Sequence, residues 1–435
     1  MAASPTPKTA DIARQVVAVA YSGGRDSTAL LHVAAATAAA AGAEVIALHV
    51  HHGLSAHADA WLSHCESQCA AWGVQFQSRR LTGQPAPAQS IEGWAREGRH
   101  AALQQMAVAA GADLLLLAHH QRDQAETFVL QALRGAGVAG LAAMPAAQWR
   151  DGVCWARPWL QQTRAAIEAY VALHRLPYVE DDSNTNPRFA RNRLRLGMWP
   201  ALLQVFPQAD ASLAQAATWA QQALELQREV AAADLQRVGD DADGLDVAAV
   251  QALSAARASN VLRAWLQART GQSAPASLVT RVQREWATGA SWPCAAGELR
   301  LYRGRLVWLA HKEAAFTAPS QSVNLAFVGL HVQADWGGCW RVDPVGSGGV
   351  SLARLQDLTL RARTGGEQFQ RTPRSLVRSL KKAYQSAAVP AWHRDGPLLF
   401  FGEHQLLFAP GLGFDARMLA GPDEPQFSLL WLPQP

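Results

Sequence analysis

Residues 21–28 read Tyr-Ser-Gly-Gly-Arg-Asp-Ser-Thr and lie between a short apolar run, Val16–Ala20, and a segment of helix-forming residues. This order predicts a strand, a glycine-containing loop and a helix. Backbone amides and the helix dipole then point at one spot, which predicts an anion site. Ser22 and Ser27 can donate hydroxyl hydrogen bonds there, and Asp26 can hold a magnesium ion that bridges phosphate oxygens. The stretch lacks lysine, which excludes a Walker A loop.

Short apolar runs alternate with helical stretches on the C-terminal side of this loop. The predicted strands and the main helices between them are Val16–Ala20, Glu44–His49, Val74–Gln77 and Asp113–Leu117, with Ala56–Trp72 and Ile91–Ala110. This alternation predicts an α/β fold with a doubly wound, mostly parallel sheet that is covered on both faces. We assign residues 1–210 to this first domain.

The strand pattern stops after Pro207, and the rest of the chain predicts two further domains. The middle domain, 211–345, is expected to be mainly helical, with predicted helices at Ala211–Leu235, Val247–Arg269 and Ala276–Thr288. Residues 346–349 read Gly-Ser-Gly-Gly, a flexible connection. They introduce a small α+β C-terminal domain, 346–435.

Basic residues are concentrated in the C-terminal domain. The chain of 435 residues has a net charge of +4, yet Arg354–Arg394 contains nine Lys or Arg and two acidic residues, a net charge of +7. The rest of the chain therefore has a net charge of −3. This asymmetry predicts a polyanion-binding face, with a solvated basic surface as the alternative. A basic helix is predicted inside the segment, at Ser375–Tyr384.

Composition excludes several classes of protein. Hydrophobic residues make up 49% of the chain and charged residues 17%, as in globular rather than disordered proteins. Met1–Ala10 has neither a cationic start nor an apolar run, so we expect no signal peptide. The alanine-rich stretch Ala34–Ala43 falls short of the roughly 18 apolar residues of a membrane span, so we expect none. Five cysteines without zinc-ligand spacing predict a reducing compartment and no structural metal. The expected location is the cytoplasm.

The loop resembles the Ser-Gly-Gly-x-Asp-Ser signature of the PP-loop superfamily, whose members cleave ATP between the α and β phosphates and transfer AMP. Further motifs resemble one particular family within this superfamily. Residues 51–54 read His-His-Gly-Leu at the end of a predicted strand, where ligands bind in parallel sheets. Glu92, Arg96 and Arg99 share one helix face by their spacing. Both elements resemble the tRNA(Ile)-lysidine synthetases, a PP-loop family, and a solvated surface is the alternative for each.

A third motif departs from the family at one position. Residues 119–127 read His-His-Gln-Arg-Asp-Gln-Ala-Glu-Thr, where the family has His-His-x-Asp-Asp-x-x-Glu-Thr. Arg122 stands in place of the first acid. Asp123 and Glu126 remain as hard oxygen groups suited to magnesium. Adjacent helical residues point about 100° apart, so we expect Asp123 to face the metal and Arg122 to face RNA phosphate or a neighbouring acid.

Basic elements complete the resemblance. Arg191, Asn192 and Arg195 match the Arg-Asn-x-x-Arg element of the family's catalytic domain. Arginines there can offset the charge that develops as pyrophosphate leaves, or can clamp an RNA phosphate, with an exposed basic face as the alternative. Lys381 and Lys382 lie in an element that resembles the family's tRNA-engaging C-terminal domain.

The resemblance implies roles for individual residues. It implies that ATP is bound by Ser22, Gly23, Gly24, Arg25, Asp26, Ser27, His51 and His119. It implies magnesium on Asp26 and Asp123, and catalysis by Asp26, Asp123, Arg191 and Arg195. It also implies substrate contacts from Glu92, Arg96, Asn192, Lys381 and Lys382.

The implied activity joins free L-lysine to C2 of the wobble cytidine of tRNA(Ile) with a CAU anticodon. The base is first adenylated by ATP, and the products are lysidine, AMP and pyrophosphate. One alternative is a PP-loop tRNA thiolase, which normally needs a Cys-x-x-Cys spacing that this chain lacks. Another is a non-catalytic tRNA-binding homologue that lost its activity through Arg122. A homodimer is also a possible assembly of this chain.

Overall fold

The structure, a computed structural model, describes residues 15–53, 55, 57–85, 90–180, 189–241, 244–286, 291–294, 297–310, 319–394, 396–402 and 404–433. The chain divides into two units, residues 1–230 and 231–435. In the described parts of the chain, no helix is long and apolar enough to span a membrane.

The first unit is built on a six-stranded sheet. Its strands are β1 (Val16–Ala20), β2 (Glu44–His51), β3 (Gln75–Arg80), β4 (Leu114–Leu116), β5 (Ala147–Arg150) and β6 (Val153–Ala156). Their order is β3-β2-β1-β4-β6-β5, and every neighbouring pair is parallel except β5 with β6. The predicted α/β fold with a doubly wound, mostly parallel sheet is therefore confirmed.

Helices cover both faces of this sheet. The helices in this part of the chain are α1 (Arg25–Ala41), α2 (Ala58–Trp72), α3 (Ile91–Ala109), α4 (Gln121–Leu133), α5 (Val138–Leu141), α6 (Arg164–Leu173), α7 (Ala190–Arg193), α8 (Trp199–Val205) and α9 (Ala209–Val238), the last of which ends beyond residue 230. A π-helical segment, Leu194–Met198, joins α7 to α8. Alternate residues of β2 point to opposite faces, so Leu48 packs with Leu103 of α3 while Ala47 packs with Leu31 of α1.

The second unit begins with a five-stranded antiparallel sheet packed against helices. Its elements are α10 (Val247–Gln251), α11 (Ala255–Thr270), α12 (Ala276–Arg284), β7 (Asp240–Asp241), β8 (Gly244–Asp246), β9 (Ser291–Cys294), β10 (Gly297–Tyr302) and β11 (Arg305–Ala310), with strand order β7-β8-β11-β10-β9. The helix predicted at Val247–Arg269 is two helices, because Ser254 caps α11 by accepting a hydrogen bond from Arg257 N. Trp265 and Trp292 lie in the core between helices and sheet.

The C-terminal part of the second unit is rich in strands. They are β12 (Gln321–Val323), β13 (Gly329–Gln333), β14 (Gly338–Val345), β15 (Leu358–Arg361), β16 (Gln368–Phe369), β17 (Arg378–Ser379), β18 (Leu398–Phe401), β19 (Gln405–Ala409), β20 (Gly413–Phe414) and β21 (Gln426–Pro433). They form three sheets, ordered β12-β15-β18-β19-β20, β13-β14-β21 and β16-β17. The predicted basic helix is α13, Leu380–Ser386, and it starts five residues later than Ser375.

Strands on both sides of the predicted boundary at residue 346 pair with one another. β12 pairs with β15, and β14 pairs with β21 along eight residues. A cut at residue 346 would therefore remove partner strands from two sheets. The domain boundaries at 210 and 346 stay predictions, and tests of the C-terminal part need point substitutions rather than truncation.

Gly244 is a glycine of the second unit whose replacement should lower stability. Its φ is +94°, and a Cβ there would lie 2.2 Å from the backbone oxygen of Leu306, in the paired strand β11. We expect Gly244→Ala to destabilise the protein by about 2–5 kcal/mol, through backbone strain and a steric clash.

Gly271→Ala is the matched control, because Gly271 has φ +69° but no atom within 4 Å of its added Cβ. Its expected cost is about 1–2 kcal/mol, from the left-handed backbone alone. Thermal unfolding of both variants measures the difference. Equal decreases in Tm would show that the clash at Gly244 is relieved by movement of β11.

Candidate active site

The loop between β1 and α1 is fixed by its own hydrogen bonds. Tyr21 N donates to Leu48 O at 2.9 Å, which ties the loop to β2. The hydroxyls of Ser22 and Ser27 lie 3.0 Å apart, and Ser27 Oγ donates to Gly24 O at 2.9 Å. Gly24 immediately precedes α1, whose first amides lack helical acceptors. The predicted anion site is thus a preformed turn at the N-terminal end of a helix.

Gly23 is closely packed and has a left-handed backbone conformation. Its φ is +81°, and a Cβ there would lie 2.7 Å from Cys65 Sγ and 3.1 Å from Val179 Cγ2. Val179 N also donates to Gly23 O at 2.9 Å. Burial raises the pKa of Cys65 to about 12, so this thiol stays protonated at neutral pH. The loop is therefore held between α2 and the residues that follow α6.

Arg25 and Asp26 begin α1 and hydrogen bond to each other. Arg25 Nε donates to Asp26 Oδ1 at 3.1 Å, and Arg25 Nη1 donates to Glu168 Oε1 of α6 at 2.5 Å. The second oxygen of Asp26, Oδ2, lies 3.8 Å from His120 Nε2. Arg25 is thus paired with two acids, while one oxygen of Asp26 faces the residue that precedes α4.

His120 links the loop to helix α4. Its Nδ1 accepts a hydrogen bond from Arg122 N at 3.2 Å, and its own amide donates to Asp123 Oδ2 at 3.1 Å. The two bonds form a capping box that fixes the first turn of α4. His120 was not among the predicted site residues, although it lies inside the motif at residues 119–127.

Two acids of α4 pair with two arginines and form what we call the ion-pair cluster: Asp123, Glu126, Arg191 and Arg195. Arg195 Nη2 lies 2.7 Å from Asp123 Oδ1, and Arg195 Nε lies 2.7 Å from Glu126 Oε1. Arg191 Nε lies 3.3 Å from Glu126 Oε2, and Arg191 Nη2 donates to Thr127 Oγ1 at 2.6 Å. The structure therefore brings together three of the four predicted catalytic residues.

Burial and charge act differently on the two acids of the cluster. Burial raises the pKa of Glu126, which is fully buried, although hydrogen bonding to Arg195 opposes the change. Burial also acts to raise the pKa of Asp123, but the neighbouring histidines and arginines bring that pKa below its usual value. Asp123 is therefore the stronger acid and is ionised at neutral pH.

His51 and His119, the two predicted ATP contacts outside the loop, lie in different surroundings. His51 is buried at the end of β2, with Nε2 3.2 Å from Asp59 Oδ1. Asp59 also accepts a hydrogen bond from Arg80 at 2.5 Å. Burial lowers the pKa of His119 to about 3, so its ring is neutral at pH 7. Their contact with ATP stays a prediction.

The predicted substrate residues are spread over both units. Arg96 is exposed on α3, and Asn192 is buried in α7. Lys381 and Lys382 are exposed in the first turn of α13, in the second unit. Glu92 belongs to the first turn of α3, but its side chain lies outside the described part of the chain.

Asp26 and Asp123 are not equally suited to be magnesium ligands. Both oxygens of Asp123 accept hydrogen bonds within the protein, from Arg195 and from the His120 amide. Asp26 Oδ2 has a more open position beside the loop. Across the described ranges, no three His, Cys, Asp or Glu side chains are grouped to hold a metal. Magnesium usually takes one or two carboxylates together with substrate phosphates, an arrangement that Asp26 fits better than Asp123.

Arg122 faces a neighbouring acid, which confirms one of the two orientations predicted for it. Its Nε lies 2.9 Å from Asp210 Oδ2, in the first turn of α9. Sequence reasoning missed Asp210 and also Glu168, the partner of Arg25. Both acids are far along the chain from the motifs that they contact, so no local pattern marks them.

Comparison with known proteins agrees with these features. A PP-loop domain model matches residues 5–202, a TilS substrate binding domain matches 245–307, and a TilS substrate C-terminal domain matches 358–431. The tRNA(Ile)-lysidine synthase of Ralstonia nicotianae is 44% identical over 422 residues, covering 93% of this chain and 90% of that protein. That of Pseudomonas aeruginosa is 37% identical over 443 residues, covering 95% and 93%.

A solved structure, the U34-tRNA thiolase NcsA from Methanococcus maripaludis, aligns with a TM-score of 0.41 and 15% identity, covering 50% of this chain and 74% of that one. A likeness at this level has no bearing on function. The relatives at 37–44% identity, by contrast, span nearly the whole chain. On these grounds the chain belongs to the tRNA(Ile)-lysidine synthase family.

Proposed function

We propose that this chain joins free L-lysine to C2 of the wobble cytidine of tRNA(Ile) with a CAU anticodon. The observation that supports this most directly is the approach of Asp26 Oδ2 to His120 Nε2, at 3.8 Å. It brings a loop suited to a triphosphate next to the capped helix that holds the ion-pair cluster. Membership of the family supports the choice of tRNA and of ATP-dependent ligation.

The first step is adenylation of the base. The cytosine O2 attacks the α phosphorus of ATP, a P–O bond forms, and the bond to the β phosphate breaks to release pyrophosphate. The amides at the start of α1 and the hydroxyls of Ser22 and Ser27 offset the negative charge on the phosphates. Arg191 and Arg195, which pair with the acids of α4, are the arginines that we assign to the leaving pyrophosphate.

The second step transfers the base from AMP to lysine. The lone pair of the ε-amine attacks C2, the C2–O bond breaks, and AMP leaves with the oxygen. The ε-ammonium group must first lose one proton to become the neutral, nucleophilic amine, and the nitrogen loses a second proton, to solvent or to a basic group, once the C–N bond has formed. The two carboxylates of the ion-pair cluster, Asp123 and Glu126, are balanced by its two arginines. A cluster without net charge is compatible with both an anionic nucleotide and a cationic amino acid.

Magnesium, when bound, would neutralise phosphate oxygens, and Asp26 is the carboxylate we assign to it. Asp123 then acts mainly within the ion-pair cluster, where it orients Arg195. This division of roles refines the expectation that both aspartates bind the metal.

The two alternatives find less support in the structure. Sulfur transfer normally needs a Cys-x-x-Cys pair, which the chain lacks, and burial raises the pKa of Cys65 and Cys69, the two cysteines that pack with Tyr21, to about 12. Loss of activity through Arg122 would require that residue to disturb the ion-pair cluster. Arg122 instead pairs with Asp210, and the four members of the cluster keep their contacts.

Direct incorporation of lysine tests the proposal. The protein is incubated with ATP, magnesium, radiolabelled lysine and a tRNA(Ile) transcript with a CAU anticodon, and the RNA is precipitated with acid. We expect label in the RNA only when ATP is present. A transcript whose wobble cytidine is replaced by uridine should remain unlabelled, since uracil lacks the amino group that distinguishes the substrate base. If the transcript with the CAU anticodon also remains unlabelled in the presence of ATP, the proposal is wrong.

Asp26→Ala should lower ATP-dependent pyrophosphate release by roughly 100-fold or more, because it removes the carboxylate that we assign to magnesium. The stability cost should be only about 0.3–1 kcal/mol, from the lost interaction with the helix dipole. Glu66→Ala, which removes an exposed acid from α2, is the control and should leave the rate unchanged. Normal pyrophosphate release by Asp26→Ala would remove Asp26 from the site.

Replacing Lys381 and Lys382 together with glutamine should weaken tRNA binding and leave ATP binding intact. Each lost phosphate contact should lower the slope of log Kd against log salt concentration by nearly 1, so the pair should lower it by about 1–2. Filter binding at several salt concentrations measures this slope. Arg228→Gln, at an exposed position of α9, serves as the control. An unchanged slope would mean that the basic segment is only a solvated surface.

A further inference from the structure

Asp210 joins two helices and a buried tryptophan. It lies in the first turn of α9, and each of its carboxylate oxygens accepts one side-chain hydrogen bond. Oδ2 accepts from Arg122 Nε of α4 at 2.9 Å, and Oδ1 accepts from Trp199 Nε1 of α8 at 2.8 Å. The side chains of Arg122 and Asp210 are 23% and 20% exposed, so solvent screens this pair less than a surface pair.

Arg122 and Asp123 are neighbours on α4 but belong to different networks. Asp123 contacts Arg195 and the His120 amide, whereas Arg122 contacts Asp210. The first turn of α4 is therefore held from two directions, about 100° apart around the helix. One direction lies in the ion-pair cluster, and the other leads to α9.

Trp199 links Asp210 to the segment that contains Arg195. It is almost fully buried and packs with Ala125 of α4 and Leu194 of the π-helical segment. Leu194 immediately precedes Arg195 in the chain. The apolar contact thus joins the helix that presents Asp123 and Glu126 to the segment that presents Arg195, and Asp210 fixes Trp199 from outside.

We propose that Asp210 is a positioning residue for the ion-pair cluster, and that it acts through Arg122 on α4 and through Trp199 on the π-helical segment. This inference rests on the proposed function only for its first, adenylating step. Asp210 contacts none of the four cluster residues through the hydrogen bonds described above. Its effect on catalysis comes from the relative placement of the acids and the arginines.

Arg122 also lies within electrostatic reach of Glu168. Burial acts to raise the pKa of Glu168, but the hydrogen bond from Arg164 and the charges of Arg25, Arg164 and Arg122 bring that pKa below its usual value. Glu168 is the acid that pairs with Arg25 of the loop. Without Asp210, Arg122 would be able to compete with Arg25 for Glu168.

A double-mutant cycle on pyrophosphate release tests the inference. The variants are Arg122→Gln, Asp210→Asn and the two combined, and asparagine preserves an acceptor for Trp199 Nε1. We expect each single variant to lower kcat about 10-fold, with the KM for ATP changed less than about 2-fold, because sub-ångström misplacement of charged groups is costly. The double variant loses the same contact as each single variant, so its kcat should fall about 10-fold rather than about 100-fold.

Thermal unfolding of each variant separates positioning from a purely structural role. Arg341→Gln removes one member of an exposed pair with Asp343, 2.8 Å apart, and should change neither Tm nor kcat. If the single variants lower Tm but retain wild-type kcat per folded molecule, or if the two losses in kcat simply add, the inference is wrong. Wild type that releases pyrophosphate but incorporates no lysine would instead contradict the proposed function, and the cycle would still decide the role of Asp210.

Discussion

Neutralisation of Asp123 and Glu126 by Arg191 and Arg195 is the interaction on which the first unit depends. Two carboxylates on one helix, one of them fully buried, are tolerated only where opposite charges are supplied at hydrogen-bonding distance. The arginines come from a segment about seventy residues further along the chain. The sheet, the capping box of α4 and the packing of Trp199 are arranged so that these two segments meet.

Local patterns predicted the parts of the structure that local forces determine. The strand at Val16–Ala20 has the bounds that the sequence predicts, because a short apolar run that ends at a glycine-containing loop leaves little freedom. The phosphate loop was likewise readable, since its glycines, serines and aspartate act within eight residues. Asp210 and Glu168 were not, because their partners Arg122 and Arg25 lie 88 and 143 residues away.

Domain organisation shows the same limit at a larger scale. The Gly-Ser-Gly-Gly sequence at residues 346–349 predicts a connection between domains, yet β14 before it pairs with β21 near the end of the chain. Flexible composition describes the backbone of a segment. It does not reveal which distant strand completes a sheet, because pairing depends on contacts between residues far apart in sequence.

The contact between Cys65 and Gly23 has a consequence for oxidative chemistry. Oxidation of a thiol to a sulfenic acid adds an oxygen atom to the sulfur, and the space next to Cys65 Sγ is already filled by the loop backbone. A high pKa suppresses the thiolate that peroxide attacks, and burial limits access to it. The packing of Cys65 against the loop therefore also protects this thiol from peroxide.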